Sequence, residues 1–228
     1  MELSYSQNLE DYHLSLAFAG QTTGTYIDVG AGHPIADNVS FWFYERGWQG
    51  IVVEPQPEFA ALYQRLRPRD LAVRGLVGRH CGEIDFHVVE RLHGLSTTVE
   101  DLAQKAKAFG VEYQTVRMPV TTLAKLCERH DLGSIDFLKI DVEGAEGDVL
   151  FGGDWKRFRP KVIVAEAVTP MALEPACRIG NRSFLLRATA SFSSTRSTGS
   201  MSRKNIVRSW RASRPNGRRG TRFVTCTR

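Results

Sequence analysis

The sequence predicts a doubly wound α/β fold with a mostly parallel sheet, and two observations lead to this prediction. Short, continuously apolar segments alternate with segments of helical periodicity, and acidic residues follow several of the apolar segments. The alternation is typical of βαβ units. Continuous apolar character indicates parallel strands, because helices cover both faces of such a sheet. Since ligands bind beyond the carboxyl ends of these strands, acids at those ends are candidate site residues.

Residues 1–77 alternate between predicted helices and strands. In chain order, they are an amphipathic lead-in within 1–20 with Leu9, Tyr12, Leu16 and Ala19 at helical spacing, a strand from 25 into a glycine turn, a helix at 35–46, a strand at 50–54, a helix at 57–66 and a strand at 71–77. Gly47 favours the end of the second helix, because glycine is preferred at a helix C-cap. Pro57 supports the start of the third, because proline is favoured in a first turn.

The alternation continues to residue 167. The predicted elements are a half-exposed strand at 82–89, a helix around 100–108, a strand at 116–120, a helix at 123–130, a strand at 135–140, a helix following 141–146 up to about 150 and a strand at 162–167. Acids therefore stand near four strand ends, at Asp28, Glu54, Asp141 and Glu166. We expect them to meet at one edge of the sheet.

The charge of the chain is divided between two unlike segments. Of 30 basic residues, 13 lie in 176–228, a segment without Asp or Glu, which leaves 17 basic against 25 acidic residues and a net charge of −8 in 1–175. The net charge of +5 for the whole chain therefore does not predict nucleic-acid binding by the folded part. A salt-sensitive DNA affinity carried by the basic tail remains an alternative prediction.

The four cysteines and the N-terminus favour a cytoplasmic protein. Cys81, Cys127, Cys177 and Cys226 contain no Cys-x-x-Cys pair, so the sequence predicts neither a disulfide framework nor a zinc site. The N-terminal residues lack the basic and then apolar segments of a signal peptide, and no apolar run is long enough to span a membrane.

A glycine loop follows the first strand. Asp28, Gly30, Ala31 and Gly32 form this turn, and Glu54 ends the next strand 24 residues after Gly30. Glycines allow close approach to a ligand, and an acid at this distance can accept hydrogen bonds from both ribose hydroxyls of an adenosine. This logic is shared by nicotinamide dinucleotides and S-adenosylmethionine. A tight structural turn with Asp28 capping backbone amides is the alternative without a ligand.

Three features favour S-adenosylmethionine over a dinucleotide. Ile35 stands where a dinucleotide loop would place a third small residue, and Pro34 interrupts the helix start that should hold a pyrophosphate. Asp28 would repel a pyrophosphate but suits the cationic amino group and sulfonium of S-adenosylmethionine. A nicotinamide-dependent oxidoreductase is the alternative function.

A second candidate site surrounds Lys139. A lysine inside so apolar a strand needs a carboxylate partner. One interpretation is a buried ion pair with Glu143, Glu146 or Glu166 that fixes the fold; the other is a catalytic role. Methyl transfer to a hydroxyl requires removal of a proton, and a carboxylate or a lysine can serve as general base.

Metal ligation is not predicted. The histidines lack metal-ligand spacing, and a cation held by Asp141 and Glu166 is a minor alternative.

The string Phe137-Leu-Lys-Ile-Asp-Val-Glu-Gly-Ala-Glu146 closely resembles the signature of the FkbM-type methyltransferases. The same resemblance extends over residues 4–170 and includes Tyr26-Ile-Asp-Val-Gly-Ala31, Val120-Thr-Thr-Leu123, Ser6-Gln-Asn-Leu-Glu10-Asp11 and Phe43-Tyr-Glu-Arg-Gly-Trp48. Gly32 departs from the asparagine that many members carry, which loosens the loop and leaves its backbone donors in place.

The resemblance implies a Rossmann-like methyltransferase fold and S-adenosylmethionine-dependent O-methylation of sugars, glycans or secondary metabolites. It also implies that Asp28, Gly30 and Glu54 bind the methyl donor. Lys139, Asp141, Glu143 and Glu146 would line the reaction centre. With Ala31 and Gly32 from the loop, and Asp141 at the sulfonium, these residues complete the predicted site.

This interpretation divides the chain into two predicted segments, a methyltransferase domain at 1–175 and a basic Ser/Arg-rich tail at 176–228. The tail is expected to be disordered or to arise from a shift of reading frame near residue 176, because its composition changes abruptly there. The last strands of the fold would then be missing or altered. An inactive, frameshifted relative of the methyltransferases is therefore a further alternative.

Overall fold

The computed structural model describes residues 3–89, 96–101, 103–104 and 112–165, together with the backbone of 166 and of 183–187. Its helices are α1 Glu10–Ala17, α2 Phe41–Glu45, α3 Pro57–Leu66, α4 Leu123–Arg129 and α5 Glu146–Phe151. Its strands are β1 Thr25–Val29, β2 Gln49–Val53, β3 Leu71–Val73, β4 Leu76–Val77, β5 Gly82–Val89, β6 Tyr113–Thr121, β7 Phe137–Ile140, β8 Val162–Glu166 and β9 Ser183–Arg187.

The main sheet has the order β3-β2-β1-β7-β8-β9, with the first five strands parallel and β9 antiparallel to β8. The predicted doubly wound class is confirmed. In the register of β1 and β7, Asp28 lies opposite Lys139. The carboxyl ends of β2, β1 and β7 are adjacent, so the residues that follow them share one edge of the sheet.

A second sheet has the order β4-β6-β5. β5 and β6 pair antiparallel from Gly82–Val120 to Val89–Tyr113, and β4 runs parallel to β6. The single strand predicted at 71–77 is therefore two strands in two sheets. Gly75, whose φ is +152°, separates them, and glycine adopts this backbone conformation without a steric penalty.

The two faces of the main sheet carry different side chains. Aliphatic residues such as Ile27, Leu138 and Ile163 pack on one face against α4, while Tyr26, Phe137 and the aromatic residues of α2 pack on the other. Because side chains alternate along a strand, Asp28 and Lys139 lie on the aromatic face, each two residues after an aromatic ring. A polar pair thus ends an otherwise apolar layer.

Helix α1 buries a different face from the one its apolar spacing predicts. Leu14 is buried, whereas Leu9, Tyr12 and Leu16 are exposed. The cause is Asp11, whose buried carboxylate accepts hydrogen bonds from Ser4 Oγ at 2.7 Å and from the Tyr5 amide at 2.6 Å. These hydrogen bonds satisfy the carboxylate inside the protein, so the acidic side of the helix can be buried.

Helix α2 is shorter than predicted. It covers 41–45 instead of 35–46, because residues 34–40 turn around a buried guanidinium. Gly47, with φ +89°, follows its C-terminus as expected.

The predicted helix at 100–108 lies partly outside the described residues, as does most of the tail. The exception in the tail is the backbone of β9, which pairs antiparallel with β8 inside the segment expected to be disordered or frameshifted.

Candidate functional site

The glycine loop at the end of β1 is held against its neighbouring strands. Gly30 and Gly32 have φ values of +72° and +62°, which glycine tolerates best. A Cβ on Gly30 would lie 1.7 Å from the carbonyl oxygen of Asp141, so only glycine lets β1 and β7 approach this closely. A Cβ on Gly32 would meet nothing within 4 Å, so the loop has an open side there.

The amides of the loop are used within the chain. Gly30 N and Ala31 N donate to the carbonyl of Val53 at 3.0 and 3.2 Å. Gly32 N donates to Glu54 Oε2 at 2.8 Å. The backbone donors of the loop are present as expected, but within the chain they are already bonded to Val53 and Glu54.

Glu54 is buried, and its Oε2 contacts Gly32, the residue at the open side of the loop. Its second oxygen, Oε1, accepts from the amide of Gln56 at 2.9 Å. Burial raises the pKa of Glu54, and the amides of Gln56 and Gly32 and the charge of Lys139 partly offset that rise. Each carboxylate oxygen has more than one acceptor position, so both can accept a further hydrogen bond.

Lys139 joins the ends of β1 and β7. Its Nζ donates to the carbonyl of Gly30 at 2.6 Å and lies 3.2 Å from Asp28 Oδ1 and 3.4 Å from Asp141 Oδ2. Ser40 Oγ donates to the other oxygen of Asp28 at 2.6 Å. The expected buried ion pair is present, but among the described side chains its carboxylates are Asp28 and Asp141 and not the predicted Glu143 or Glu146. The third predicted partner, Glu166, has its side chain outside the described residues.

The electrostatic surroundings keep Lys139 protonated. Burial disfavours the ammonium, but the opposite charges of Asp28 and Asp141 outweigh it and raise the pKa of Lys139 above its usual range. A group that stays protonated cannot accept a proton from an acceptor hydroxyl. The geometry therefore favours an anchoring role for Lys139 over that of a general base.

Asp28 and Asp141 differ in access. Asp28 has a fully buried side chain (0% exposed), whereas the Asp141 side chain is 45% exposed. A ligand approaching the sheet edge can touch Asp141 directly. Asp28 can act on it only through its charge and through the groups that it holds.

The turn between β7 and α5 is fixed by Glu146. Glu146 Oε1 accepts from the amides of Val142 at 3.2 Å and Gly144 at 3.0 Å. Burial raises its pKa, which these amides partly offset. Glu143 and Gly144 have positive φ values of +50° and +100°, so the turn stores strain at Glu143. The Glu146 carboxylate holds this strained turn in place.

Thr97 makes a contact at this site that its sequence does not predict. Its Oγ1 donates to the carbonyl of Glu143 at 2.8 Å, and its backbone exchanges two hydrogen bonds with His87 of β5. Thr97 is buried and so connects the second sheet to the turn. A threonine in a Ser-Thr-Thr string carries no signal of this contact, because the contact depends on how the two sheets pack.

A buried polar network behind the glycine loop was also missed. Arg67 follows α3 and is fully buried. Its Nη2 donates to Ser40 Oγ and Tyr26 Oη, both at 2.9 Å, and its Nε donates to Asp70 at 2.7 Å. Because Ser40 in turn donates to Asp28, this network is connected to the ion pair of Asp28 with Lys139. The signal for this network in the sequence is slight, since its residues are scattered from 26 to 70.

The predicted site residues thus meet at one edge of the sheet, with one exception. Glu166 ends β8, but its side chain lies outside the described residues. Within the described ranges, no group of three or more His, Cys, Asp and Glu side chains is arranged to hold a metal ion. Nor does any helix of the described part combine the length and apolar character of a membrane span.

Comparison with known proteins shows the family. The family model of the methyltransferase FkbM domain matches residues 28–175. No curated protein matches the chain significantly.

Three solved structures illustrate the similarity, all of them methyltransferases. The methyltransferase FkbM of Methylobacillus flagellatus KT is 14% identical with a TM-score of 0.40, and the match covers 68% of this chain and 37% of that chain. The C-terminal domain of precorrin-6Y C5,15-methyltransferase of Rhodobacter capsulatus is 20% identical with a TM-score of 0.36, and the match covers 70% of this chain and 61% of that chain. An O-methyltransferase of Bacillus cereus in complex with SAH is 14% identical with a TM-score of 0.37, and the match covers 73% of this chain and 58% of that chain. This chain covers less than two thirds of each of them. Because the family model matches well over half of the sequence and includes the glycine loop, Glu54 and the Asp141 turn, this chain belongs to the FkbM methyltransferase family.

Proposed function

We propose that this chain is an S-adenosylmethionine-dependent O-methyltransferase that methylates a hydroxyl of a sugar, glycan or secondary metabolite. The observation that carries the proposal is the convergence of three strand ends. Glu54 Oε2 lies 2.8 Å from Gly32 N, and Lys139 Nζ joins Gly30 to Asp141 within 3.4 Å. Family membership supports the reaction class.

The residues at this edge fit the methyl donor. Asp28, Glu54 and Asp141 supply three carboxylates against one ammonium, so the charge of the cluster favours a ligand with a cationic amino group and sulfonium. The open side of Gly32 leaves room for a ligand to approach the backbone. When bound, S-adenosylmethionine supplies an electrophilic methyl group on its sulfonium.

We assign the donor-binding roles from this geometry. Glu54 accepts hydrogen bonds from the ribose hydroxyls, because both its oxygens retain acceptor capacity beside the open face of the loop. Gly30, Ala31 and Gly32 shape the cradle. Asp28 acts through Lys139 and the Gly30 carbonyl, since its side chain is fully buried.

Asp141 is the general base of the proposal. Its carboxylate is partly exposed at the carboxyl end of β7, whereas Lys139 stays protonated and Glu146 is held by two amides. A base within hydrogen-bond reach of the acceptor hydroxyl would remove its proton while the methyl carbon exchanges its bond to the donor sulfur for a bond to that oxygen, leaving S-adenosylhomocysteine. Such a base typically has a rate effect of about 10²–10⁴-fold. Glu143 and Glu146 shape the turn that places Asp141.

The proposed catalytic unit is the domain at 1–175, which contains all these residues. The segment 176–228 contributes none of the proposed contacts.

The test is a calorimetric titration with S-adenosylhomocysteine, after circular dichroism has shown that the protein melts cooperatively. We expect saturable binding that weakens at least about tenfold in Glu54→Gln, because charge-assisted hydrogen bonds to the ribose are lost. Glu58→Gln is the matched control, since it makes the same change on the exposed side of α3. NAD⁺ serves as the competing ligand. A folded protein that ignores S-adenosylhomocysteine, or that binds NAD⁺ instead, would contradict the proposal.

A further inference from the structure

We propose that Asn38 and Tyr63 are positioning residues that set the affinity for the methyl donor by clamping the peptide bond between Ala31 and Gly32. This inference rests on the proposed function, because it concerns the same donor site. Neither side chain lines the open face of the loop: Asn38 is 1% exposed and Tyr63 is fully buried. Both act on the loop from its protein side.

The carbonyl of Ala31 is held by two donors. Asn38 Nδ2 donates to it at 2.8 Å, and Tyr63 Oη donates to it at 3.2 Å. Asn38 Nδ2 also donates to Tyr63 Oη at 2.8 Å. The three groups form a closed triangle in which each polar atom has a partner, as buried polar atoms require.

The other half of the same peptide unit is held from the opposite side. Gly32 N donates to Glu54 Oε2 at 2.8 Å. The carbonyl of Ala31 and the amide of Gly32 belong to one planar group, so they cannot rotate independently. Tyr63 and Asn38 therefore fix the direction in which the Gly32 amide points, and through that hydrogen bond they fix Glu54 Oε2. That oxygen is one of the two proposed to receive the ribose hydroxyls.

Arg67 fixes the orientation of the Asn38 amide. Its Nη1 donates to Asn38 Oδ1 at 2.9 Å and to the carbonyl of Pro34 at 3.0 Å. The amide of Phe41 donates to the same Asn38 oxygen at 2.8 Å. A flipped Asn38 would turn its NH₂ group toward the guanidinium, two donors facing each other, so only one orientation is stable. The donor that reaches Ala31 is thus preorganised before any ligand binds.

The experiment compares two tyrosines of this network by calorimetric titration with S-adenosylhomocysteine. Tyr63→Phe removes the hydroxyl that contacts Ala31. Tyr26→Phe is the matched control, because its hydroxyl also contacts Arg67, at 2.9 Å, but its other partner is Asp70 and not the loop. We expect Tyr63→Phe to weaken binding roughly three- to tenfold, the effect of one hydrogen bond. Tyr26→Phe should change the melting temperature and leave the dissociation constant within about twofold of the original.

A second variant keeps the test decisive if Tyr63→Phe lowers stability. Asn38→Asp retains an oxygen for Arg67 and replaces the donor toward Ala31 with a second oxygen, so it should weaken binding more than Tyr63→Phe. In the double variant Tyr63→Phe with Glu54→Gln, the loss of binding free energy should be smaller than the sum of the two single losses, because both substitutions act on one peptide unit.

The outcomes separate the two ideas. Wild-type protein that does not bind S-adenosylhomocysteine overturns the proposed function and this inference together. Wild-type binding with an unchanged dissociation constant in both Tyr63→Phe and Asn38→Asp overturns the inference alone. Equal weakening by Tyr26→Phe would also overturn it, since the network would then act as general scaffolding.

Discussion

The ammonium of Lys139 lies 3.2 Å from the buried Oδ1 of Asp28, directly across the register of β1 and β7. The two residues close the aromatic layer of the sheet with an ion pair, and the carbonyl of Gly30 completes the contacts of the ammonium. The pair therefore links the glycine loop to the strand that leads into Asp141. We expect this pair to hold the two halves of the candidate site together.

We expect the Lys139–Asp28 pair to show strong energetic coupling. Lys139→Met and Asp28→Asn should each lower the free energy of unfolding by about 3–5 kcal/mol, because each leaves the partner charge buried and uncompensated. The double variant should lose less than the sum of the two single losses. Urea denaturation of the four proteins measures this coupling. Strict additivity would show that the two side chains do not depend on each other.

Alanine at the two loop glycines should have unequal effects. Gly30→Ala is expected to destabilise the fold by at least about 3 kcal/mol, because its Cβ would overlap the carbonyl of Asp141 and force β1 and β7 apart. Gly32→Ala meets open space and should cost about 1–2 kcal/mol for its left-handed backbone. Thermal and urea denaturation give both values. The reverse order would contradict the close approach of the two strands.

Binding of S-adenosylhomocysteine should strengthen as the pH rises through the raised pKa of Glu54. Burial raises that pKa above the ordinary glutamate value of about 4.3, with the charge of Asp28 adding to the rise and Lys139 opposing it. The ribose hydroxyls donate to the carboxylate, so binding favours the ionised form and affinity reaches its plateau above this pKa. The protonated form loses acceptors and binds more weakly.

Stability of the ligand-free protein should change in the opposite direction over the same window. The folded state binds more protons at Glu54 than the unfolded state does, so this residue makes stability fall as the pH rises from about 4.3 through the folded pKa. Calorimetric titrations at several pH values check the pH dependence of binding, and urea denaturation at the same pH values checks that of stability. Glu54→Gln is the control for both. A pH dependence of affinity or of stability that persists in Glu54→Gln would assign that effect to another group.

Asp141→Asn should reduce turnover far more than donor binding. Loss of the general base predicts a decrease in kcat of about 10²–10⁴-fold, with the S-adenosylhomocysteine affinity changed much less. The measurement is mass-spectrometric detection of methyl transfer to a panel of glycosides and hydroxylated metabolites. Asp148→Asn is the matched control, since Asp148 is half-exposed and paired with Arg79. Turnover that survives in Asp141→Asn would move the role of base to another residue.

Thr97 should control the turn that carries Asp141. Thr97→Val removes the hydrogen bond to Glu143 and should lower stability by about 0.5–1.5 kcal/mol, together with turnover. Thr97→Ser keeps the hydroxyl and should remain close to the original in both. Urea denaturation and the same methyl-transfer assay distinguish the variants. A loss in Thr97→Ser without a loss in Thr97→Val would indicate that the methyl group, rather than the hydrogen bond, is what matters.

Much of this architecture follows from local sequence. Short-range periodicity and backbone preference specify several elements. Examples are the apolar run of β1 with the glycines that follow it, the proline at the start of α3 and the alternating residues of β5. Strand ends then place Glu54 and Asp141 at one edge, because parallel strands end together. The family and the candidate site were therefore within reach of the sequence.

Tertiary structure decided which side chains meet. The partner of Lys139 is Asp28 because β1 and β7 are neighbours in a particular register, and Arg67 is buried because residues 34–40 wrap around it. These contacts join residues dozens of positions apart, and no local periodicity encodes them. The sequence alone determined the elements and the chemical character of the site, whereas long-range packing determined its hydrogen bonds, its protonation states and the face that α1 buries.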